Sequence, residues 1–351
     1  MKSTQAYRYC MLALLAILFF SCKNSDLGPQ LDLDSLLVVV TPKYDSSSKY
    51  RGQLLSLKLG SGSVTKLTDI KGLPVAISKV GDKLLVLAKD NFFWNYHWLN
   101  RINLLNDSLE KTTTFTPLEF YDPPTRIALY NNKLYIPGIN SYELKDMVNI
   151  VNPETMLAED TLHMPPIEYL TDVVVVGNRL FAKLTDKIRV YNNTTLELIG
   201  TIPLRAKSWA GMIVDKNNRI LIPDGQIQSI NPDDLSITTT SAKVDVFDRP
   251  GGLQPALDRD ANVLYFLSKD EDDTFYALKK IDLATGDVEI LSKSNEASFP
   301  TGIIFLRYDK SRNILIVGGS ENIGTVTTLS TSGTLIKKYK IYVTPLDVVL
   351  E

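Results

Sequence analysis

Cysteine is nearly absent from this chain. Its two copies, Cys10 and Cys22, both lie at the extreme N-terminus of the 351 residues. The body of the chain therefore cannot hold a disulfide framework or a thiolate metal site. Histidine is equally scarce, with only His97 and His163, far apart in sequence. Without a paired nucleophile and base or a cluster of metal ligands, the sequence indicates no catalytic residue, no metal and no cofactor.

Clusters of basic charge and long apolar runs are also missing. The formal net charge is −2 and no basic stripe stands out, which argues against nucleic acid as the main partner. The longest apolar run, residues 11–20, has ten residues. As a helix it is too short for a bilayer core of about 30 Å. No stretch keeps a 3.6-residue period over a useful length, so helices are not expected to build the fold.

The first 22 residues resemble a bacterial lipoprotein signal. Lys2 and Arg8 supply the positive start, residues 11–20 the apolar centre, and Ser21 precedes Cys22. This ending resembles a lipobox, which implies cleavage before Cys22 and lipidation of that residue. The alternative is an ordinary signal peptide with an incidental cysteine. We expect a lipoprotein signal peptide over 1–21, a polar tether over 22–35 and a folded domain over 36–351.

What the chain does contain is one hairpin pattern, repeated along its length. The clearest copy runs from Ile188 to Leu204, with apolar residues at strand spacing around a turn at 192–195. Further copies start at Ser56, Arg101, Asn149, Gln228, Lys280 and Thr328, which makes seven in all. The period of roughly 40 to 50 residues lies in the range of propeller blades.

This repeat predicts an all-β fold: a seven-bladed β-propeller with four antiparallel strands in each blade. The first unit starts at Leu36 with what corresponds to a second strand, so it lacks an innermost strand. Residues 345–351, PLDVVLE, resemble the strand start at 171–173. We therefore predict that the C-terminal strand completes blade one and closes the ring, which removes two exposed sheet edges.

Three segments carry a family resemblance: RVYNNTTLELIGTIPL, IVNPETMLAE and DKSRNILIVGG. They resemble the repeats of YVTN-type (YncE-like) propellers. Behind a lipobox, such a propeller is also similar to the outer-membrane propeller lipoproteins of Bacteroidetes. The resemblance implies a lipid anchor in the outer membrane, facing the periplasm or the cell surface. Some proteins of that kind capture corrinoids or siderophores for TonB-dependent transporters, so it also implies a small-molecule ligand and such a transporter as partner.

Loops at one face of the predicted disc supply the candidate ligand-binding residues. Aromatic or cationic residues recur in the loops that lead from one blade to the next: Tyr121, Arg126, Tyr169, Trp209, Arg249 and Phe299. The stretch Asn91 to Trp98, read as the loop between the second and third strands of blade two, adds Trp94, Tyr96, His97 and Trp98. Such residues suit a flat, partly anionic ligand. For the inter-blade residues, the alternative is that the rings wedge between blades and the arginines are solvated. For Asn91 to Trp98, it is that two or three of the rings extend the strands and pack inward.

Three functions are consistent with these features. The first is a lipid-anchored binding module for a small ligand, and the second is a protein-interaction scaffold of the envelope. The third is a propeller lactonase or lyase, which the scarcity of histidine disfavours. The acidic run Asp270 to Asp273 is read as a solvated turn in preference to a cation site.

Overall fold

The computed structural model describes residues 34–41, 51–89, 97–115, 127–140, 145–166, 168–205, 210–244, 254–269, 276–293, 302–320 and 324–350. The chain divides into two units, residues 1–35 and 36–351, and the second contains the sheets. The described residues form strands and turns and no helix, so none of their segments could cross a membrane as a helix.

The strands follow one another along the chain in seven groups. The first three groups are β1 (Ser35–Thr41), β2 (Arg51–Lys58) and β3 (Val64–Lys71); β4 (Leu73–Val80), β5 (Lys83–Lys89), β6 (His97–Asn103) and β7 (Ser108–Phe115); and β8 (Ala128–Tyr130), β9 (Lys133–Asn140), β10 (Lys145–Val151) and β11 (Ala158–Pro166). Blades four and five are β12 (Leu170–Val176), β13 (Arg179–Leu184), β14 (Lys187–Asn192) and β15 (Leu198–Pro203); and β16 (Ile213–Val214), β17 (Ile220–Ile230) and β18 (Ile237–Val244). Blades six and seven are β19 (Ala256–Asp258), β20 (Val263–Lys269), β21 (Tyr276–Asp282) and β22 (Val288–Lys293); and β23 (Ile303–Asp309), β24 (Ile314–Gly319), β25 (Thr325–Ser330) and β26 (Leu335–Lys340). The last strand is β27 (Thr344–Val349).

The sheets confirm the predicted seven-bladed β-propeller of antiparallel strands. In most blades the strand order follows the chain, from an innermost first strand to an outer fourth strand. Blade one is the exception, because its order is β27-β1-β2-β3. Val38 lies opposite Val348 and Thr41 opposite Thr344. The prediction that the C-terminal strand supplies the innermost strand of blade one is therefore confirmed.

Blade five builds its second and third strands from one continuous element. The first part of β17 pairs with β16, through Leu221 and Ile213. Its second part pairs with β18, through Ser229 and Thr238. Gly225, between the two parts, has a φ of +62°, a backbone conformation that glycine adopts at little cost. The element therefore fills two strand positions.

The apolar core lies between neighbouring blades. One cluster joins Leu87 of blade two to Leu134 of blade three, and another joins Leu57 of blade one to Phe305 of blade seven. Because each blade packs against a neighbour on both faces, its central strands are buried on both sides. This explains why they read in the sequence as unbroken apolar runs such as LLVVV and not as alternating strands.

Candidate functional site

The strand directions define two faces of the disc. In blade four, the crossover from β11 into β12 and the loop from β13 to β14 lie at the same end of the strands, because neighbouring strands are antiparallel. We name this end the crossover face. The opposite end, where β12 turns into β13 and β14 into β15, is the turn face. Among the predicted ligand-binding residues that the structure describes, His97 and Trp98 at the start of β6 and Tyr169 before β12 lie at this crossover face.

The structure describes three of those predicted residues: His97, Trp98 and Tyr169. The others lie outside the described residues; they are Trp94, Tyr96, Tyr121, Arg126, Trp209, Arg249 and Phe299. Cys22 also lies outside them.

Tyr169 is displayed at the crossover between blades three and four. Its side chain is 53% exposed, and its φ of +53° is unusual for a bulky residue. The buried Asp146 of β10 fixes this backbone, because its carboxylate accepts a hydrogen bond of 3.2 Å from the amide of Glu168. Burial raises the pKa of Asp146, while backbone hydrogen bonds from Leu170, Glu168 and Tyr169 oppose that rise. The ring is thus presented to solvent by a fixed backbone.

A charged cluster that the sequence did not reveal lies beside Tyr169. Arg189 donates two hydrogen bonds of 2.6 Å to Glu168, and Lys187 lies 2.9 Å from the same carboxylate. The hydrogen bond from Arg189, followed by that from Lys187, lowers the pKa of Glu168 although burial opposes it. The only sequence signal was a pair of cations, Lys187 and Arg189, at the start of an otherwise apolar strand. The cluster fixes the crossover to blade four.

His97 and Trp98 belong to strand β6 and not to a loop. They pair with Lys89 and Ala88 of β5, and His97 is only 1% exposed. Strand pairing begins two residues earlier than the sequence suggested, because both residues fit the ladders on either side. The sheet therefore fixes the positions of both residues, unlike those of residues in a loop.

The ring of Trp98 covers the crossover between blades one and two. A Cβ atom added at Gly72 would lie 2.5 Å from Trp98 Cε3, so the indole packs directly on the glycine backbone. Lys71 Nζ lies 4.9 Å from the centroid of the indole ring, a cation–π distance. The indole of Trp98 therefore packs on the crossover between blades one and two.

Tyr342 is an exposed crossover residue that the sequence analysis missed. It lies between β26 and β27, with 70% of its side chain exposed and a φ of +58°. In two other crossovers glycine takes the positive φ, at Gly72 and Gly302. A tyrosine in that conformation costs about 1–3 kcal/mol of strain. Tyr169 and Tyr342 are therefore two aromatic side chains displayed on the crossover face at a conformational cost.

A cavity of about 370 Å³ lies among the innermost strands. Five blades line it through residues that span the strands from the crossover end to the turn end. Its lining residues are Ile77, Ser78, Lys79, Leu84, Ile127, Gln254, Pro255, Ala256, Leu257, Arg307, Tyr308, Asp347, Val348, Val349 and Leu350. This space among the innermost strands thus combines apolar walls with polar groups.

The charged groups of this cavity are partly paired. Arg307 Nη2 donates a hydrogen bond of 2.6 Å to Asp347 Oδ2. Tyr308 donates one of 3.1 Å to Asn313 Oδ1. Burial, and then the nearby carboxylate of Asp258, raises the pKa of Tyr308 above its ordinary value, so its hydroxyl stays neutral at physiological pH.

A second polar position lies at the crossover end of blade four. Asp172 and Lys183 lie directly opposite each other in the ladder between β12 and β13, and both are buried. Asp172 Oδ2 accepts a hydrogen bond of 2.6 Å from the amide of Met212 in blade five. Within the described part of the chain, no three His, Cys, Asp or Glu side chains lie close enough together to hold a metal ion.

No protein family and no curated protein matches this chain in sequence. Among solved structures, a proposed 6-phosphogluconolactonase of Bacteroides uniformis superposes with a TM-score of 0.64 at 14% identity, covering 90% of this chain and 99% of its own. A proposed 6-phosphogluconolactonase of Bacteroides fragilis has a TM-score of 0.63 at 16% identity, covering 92% and 100%. A protein of Lactobacillus plantarum has a TM-score of 0.64 at 14% identity, covering 90% and 98%. At these identities the likeness shows the fold alone, and the chain is a seven-bladed β-propeller of the architecture that these proteins share.

Proposed function

We propose that this protein is a lipid-anchored propeller of the cell envelope that binds a small molecule in its central channel and at the crossover-face mouth of that channel. The observation that carries the proposal is the cavity of about 370 Å³. Pockets for small ligands typically occupy about 300–1,000 Å³ and combine apolar walls with a few polar groups. The channel of this chain fits the lower end of that range.

The mixture of apolar and polar residues in the lining supports a ligand-binding role for the cavity. Apolar walls come from side chains such as Ile127, Ala256 and Val348, while Ser78, Gln254 and Arg307 add polar groups. The strained and exposed Tyr169 and Tyr342 lie at the same face as the crossover end of the channel. Strain of this kind tends to concentrate at functional positions, so these rings are good candidates for contacts at the mouth.

The size of the cavity bears on the ligand class. A corrinoid or a siderophore, the classes expected from the family resemblance, is too large to enter a space of about 370 Å³. A ligand of that kind would lie across the crossover face and insert only one group into the channel. A molecule of the size of a single sugar or a short acid would fit inside. Transfer to a TonB-dependent transporter is the corresponding biological proposal.

The ligand test is calorimetric titration of the folded domain with corrinoids, siderophores, haem, oligosaccharides and monosaccharide phosphates. Ser78→Trp fills the cavity from the wall of β4, and Ser61→Trp, on an exposed turn of blade one, is the matched control. We expect at least one compound to bind the parent and the control, but not Ser78→Trp. If no compound binds the parent, the interaction scaffold becomes the better interpretation.

Anchoring is a separate part of the proposal and rests on Ser21 and Cys22 after the apolar run. Changing Cys22→Ser removes the thiol that would carry the lipid. We expect the variant to leave the membrane fraction, whereas Cys10→Ser, within the signal, does not change the fractionation. A Cys22→Ser variant that sediments with membranes as the parent does would contradict lipidation.

A second candidate function is lactone hydrolysis, favoured by the names of the two Bacteroides proteins of the same fold. The assay is ring opening of 6-phosphogluconolactone, with and without the protein, followed by proton release. Acceleration above the uncatalysed rate, lost in Ser78→Trp, would support this candidate. A rate equal to the uncatalysed one would exclude this substrate.

A further inference from the structure

We propose that the channel ligand carries an anionic group, a carboxylate or a phosphate, and that Lys79 binds this group at the turn end of the cavity. This inference rests on the proposed ligand site in the channel. It adds the chemical class of the ligand and the orientation of the ligand in the channel. It places the charged end of the ligand away from the crossover face, on which the aromatic residues are displayed.

Lys79 has the right position for this role. It is the second-last residue of β4, opposite Leu84 in the ladder to β5, and so lies next to the turn face. Both residues line the cavity. The side chain of Lys79 is only partly exposed. Its ammonium group therefore has less water around it than that of a surface lysine, and this strengthens its attraction for an anion.

Lys79 also differs from other lysines near the turn face in having no internal counter-charge. Lys83 lies 3.0 Å from Glu110, Lys133 lies 3.0 Å from Glu159, and Lys310 lies 2.7 Å from Asp260. In the part of the chain that the structure describes, the ammonium group of Lys79 has neither a hydrogen bond nor an ion pair. An anionic group of the ligand would give this ammonium group a direct partner.

The charged side chains that line the cavity have one positive charge in excess. These side chains are Lys79, Arg307 and Asp347. Arg307 and Asp347 neutralise each other through their ion pair of 2.6 Å, and the neutral phenol of Tyr308 adds no charge. The remaining charge is that of Lys79.

The other end of the cavity holds an uncharged polar group. Gln254 comes just before β19 and so lies at the crossover end, whereas Asp347 is the fourth of the six residues of β27 and is paired with Arg307. The side-chain amide of Gln254 can accept a hydrogen bond from a hydroxyl or amine group and can donate one. The channel therefore suits a ligand with an anionic end at Lys79 and a polar, uncharged end near Gln254.

The first experiment uses inorganic phosphate as the probe. Phosphate affinity and thermal midpoint are measured at constant ionic strength, with chloride as the replacement anion. We expect phosphate to raise the midpoint of the parent and Lys79→Gln to weaken phosphate binding about tenfold or more. Lys79→Arg should keep most of the affinity. Lys216→Gln is the matched control, because Lys216 is an exposed lysine at the turn face of blade five, and it should behave as the parent does.

The outcomes separate this inference from the proposed function. Equal phosphate affinity in the parent and in Lys79→Gln, or no effect of phosphate on the parent, overturns the role of Lys79. If a neutral compound of the panel still binds the parent and is lost in Ser78→Trp, the channel site stands and only the anionic class is wrong. The melting curve of each variant in chloride shows that it is folded. Because Lys79 is partly exposed, we expect that curve to match the parent.

Discussion

Arg307 of β23 and Asp347 of β27 form an ion pair of 2.6 Å that joins the innermost strands of blades seven and one. Asp347 Oδ1 also accepts a hydrogen bond of 2.8 Å from the amide of Val348. Asp172 of blade four has a similar arrangement, since it accepts hydrogen bonds from the amides of Val173 and of Met212 in blade five. A carboxylate at one strand position thus links neighbouring blades at two places in the ring.

Changing Asp347→Ala should lower the free energy of unfolding by about 1–3 kcal/mol, because Arg307 loses a partly buried charged partner. Chemical denaturation measures this value. Asp186→Ala, at an exposed turn position of blade four, is the control and should cost little. Combining Asp347→Ala with Arg307→Met should cost less than the sum of the single changes. Strict additivity would contradict a direct interaction between the two side chains.

Deleting residues 345–351 removes most of β27 and leaves β1 with an unpaired inner edge. Loss of the buried Val348 and Val349 alone should cost roughly 3–6 kcal/mol. We expect a markedly lower thermal midpoint together with aggregation in light scattering. A synthetic peptide of residues 343–351 should restore part of the stability. An unchanged midpoint after the deletion would mean that β27 contributes nothing to closure.

Acid unfolding should depend on Glu168. The pKa of this group in the folded protein lies below its ordinary value of 4.5, mainly because of the hydrogen bond from Arg189. Its stabilising contribution is therefore complete above about that value and is lost as the pH falls through the lower folded pKa. As the pH falls through this range, we expect the free energy of unfolding of the parent to decrease. We expect Glu168→Gln to start from a lower free energy of unfolding and to depend less steeply on pH. Glu197→Gln, an exposed glutamate of blade four, should reproduce the slope of the parent.

The contact between Gly72 and Trp98 can be tested by introducing one methyl group. Gly72→Ala places a Cβ atom 2.5 Å from Trp98 Cε3 at a φ of +89°. Gly81→Ala is the control, because its φ of +56° is also positive but no atom lies within 4 Å. We expect both variants to be less stable by thermal melting, with Gly72→Ala clearly the worse. Trp98→Ala added to Gly72→Ala should recover part of that difference; no recovery would argue against steric conflict as the cause.

Much of this fold was predictable because its signals are local and repeated. The hairpin from Ile188 to Leu204 corresponds to β14 and β15, and the turn at Gly177 and Asn178 separates β12 from β13. Closure by the last strand was predictable too, because residues 345–351 resemble an innermost strand. The element β17, which fills two strand positions of blade five, was not predictable, because the turn residues Asp224 and Gly225 resemble those of many other turns in the sequence.

The candidate site was less predictable, because its properties depend on partners distant in sequence. Trp98 is of a residue type common in ligand contacts, yet its ring packs on Gly72, which lies 26 positions earlier in the crossover from blade one. The link between Glu168 and Arg189 spans two elements. The exposure of Tyr342 follows from a backbone conformation that its neighbours in sequence do not reveal. Lys79 has an ordinary strand sequence around it, and only the ring arrangement places it at the channel.

The pairing of β1 with β27 also sets an order in time. Thr41 and Thr344 meet across 303 positions of sequence, so the first strand to be synthesised waits for the last before its sheet is complete. Contacts of such long range form late and slowly. Until β27 has been synthesised and has paired with β1, the sheet of blade one keeps an open inner edge and the ring of blades stays incomplete. In the export that we propose for this chain, such late closure would favour passage of the polypeptide before the ring is complete.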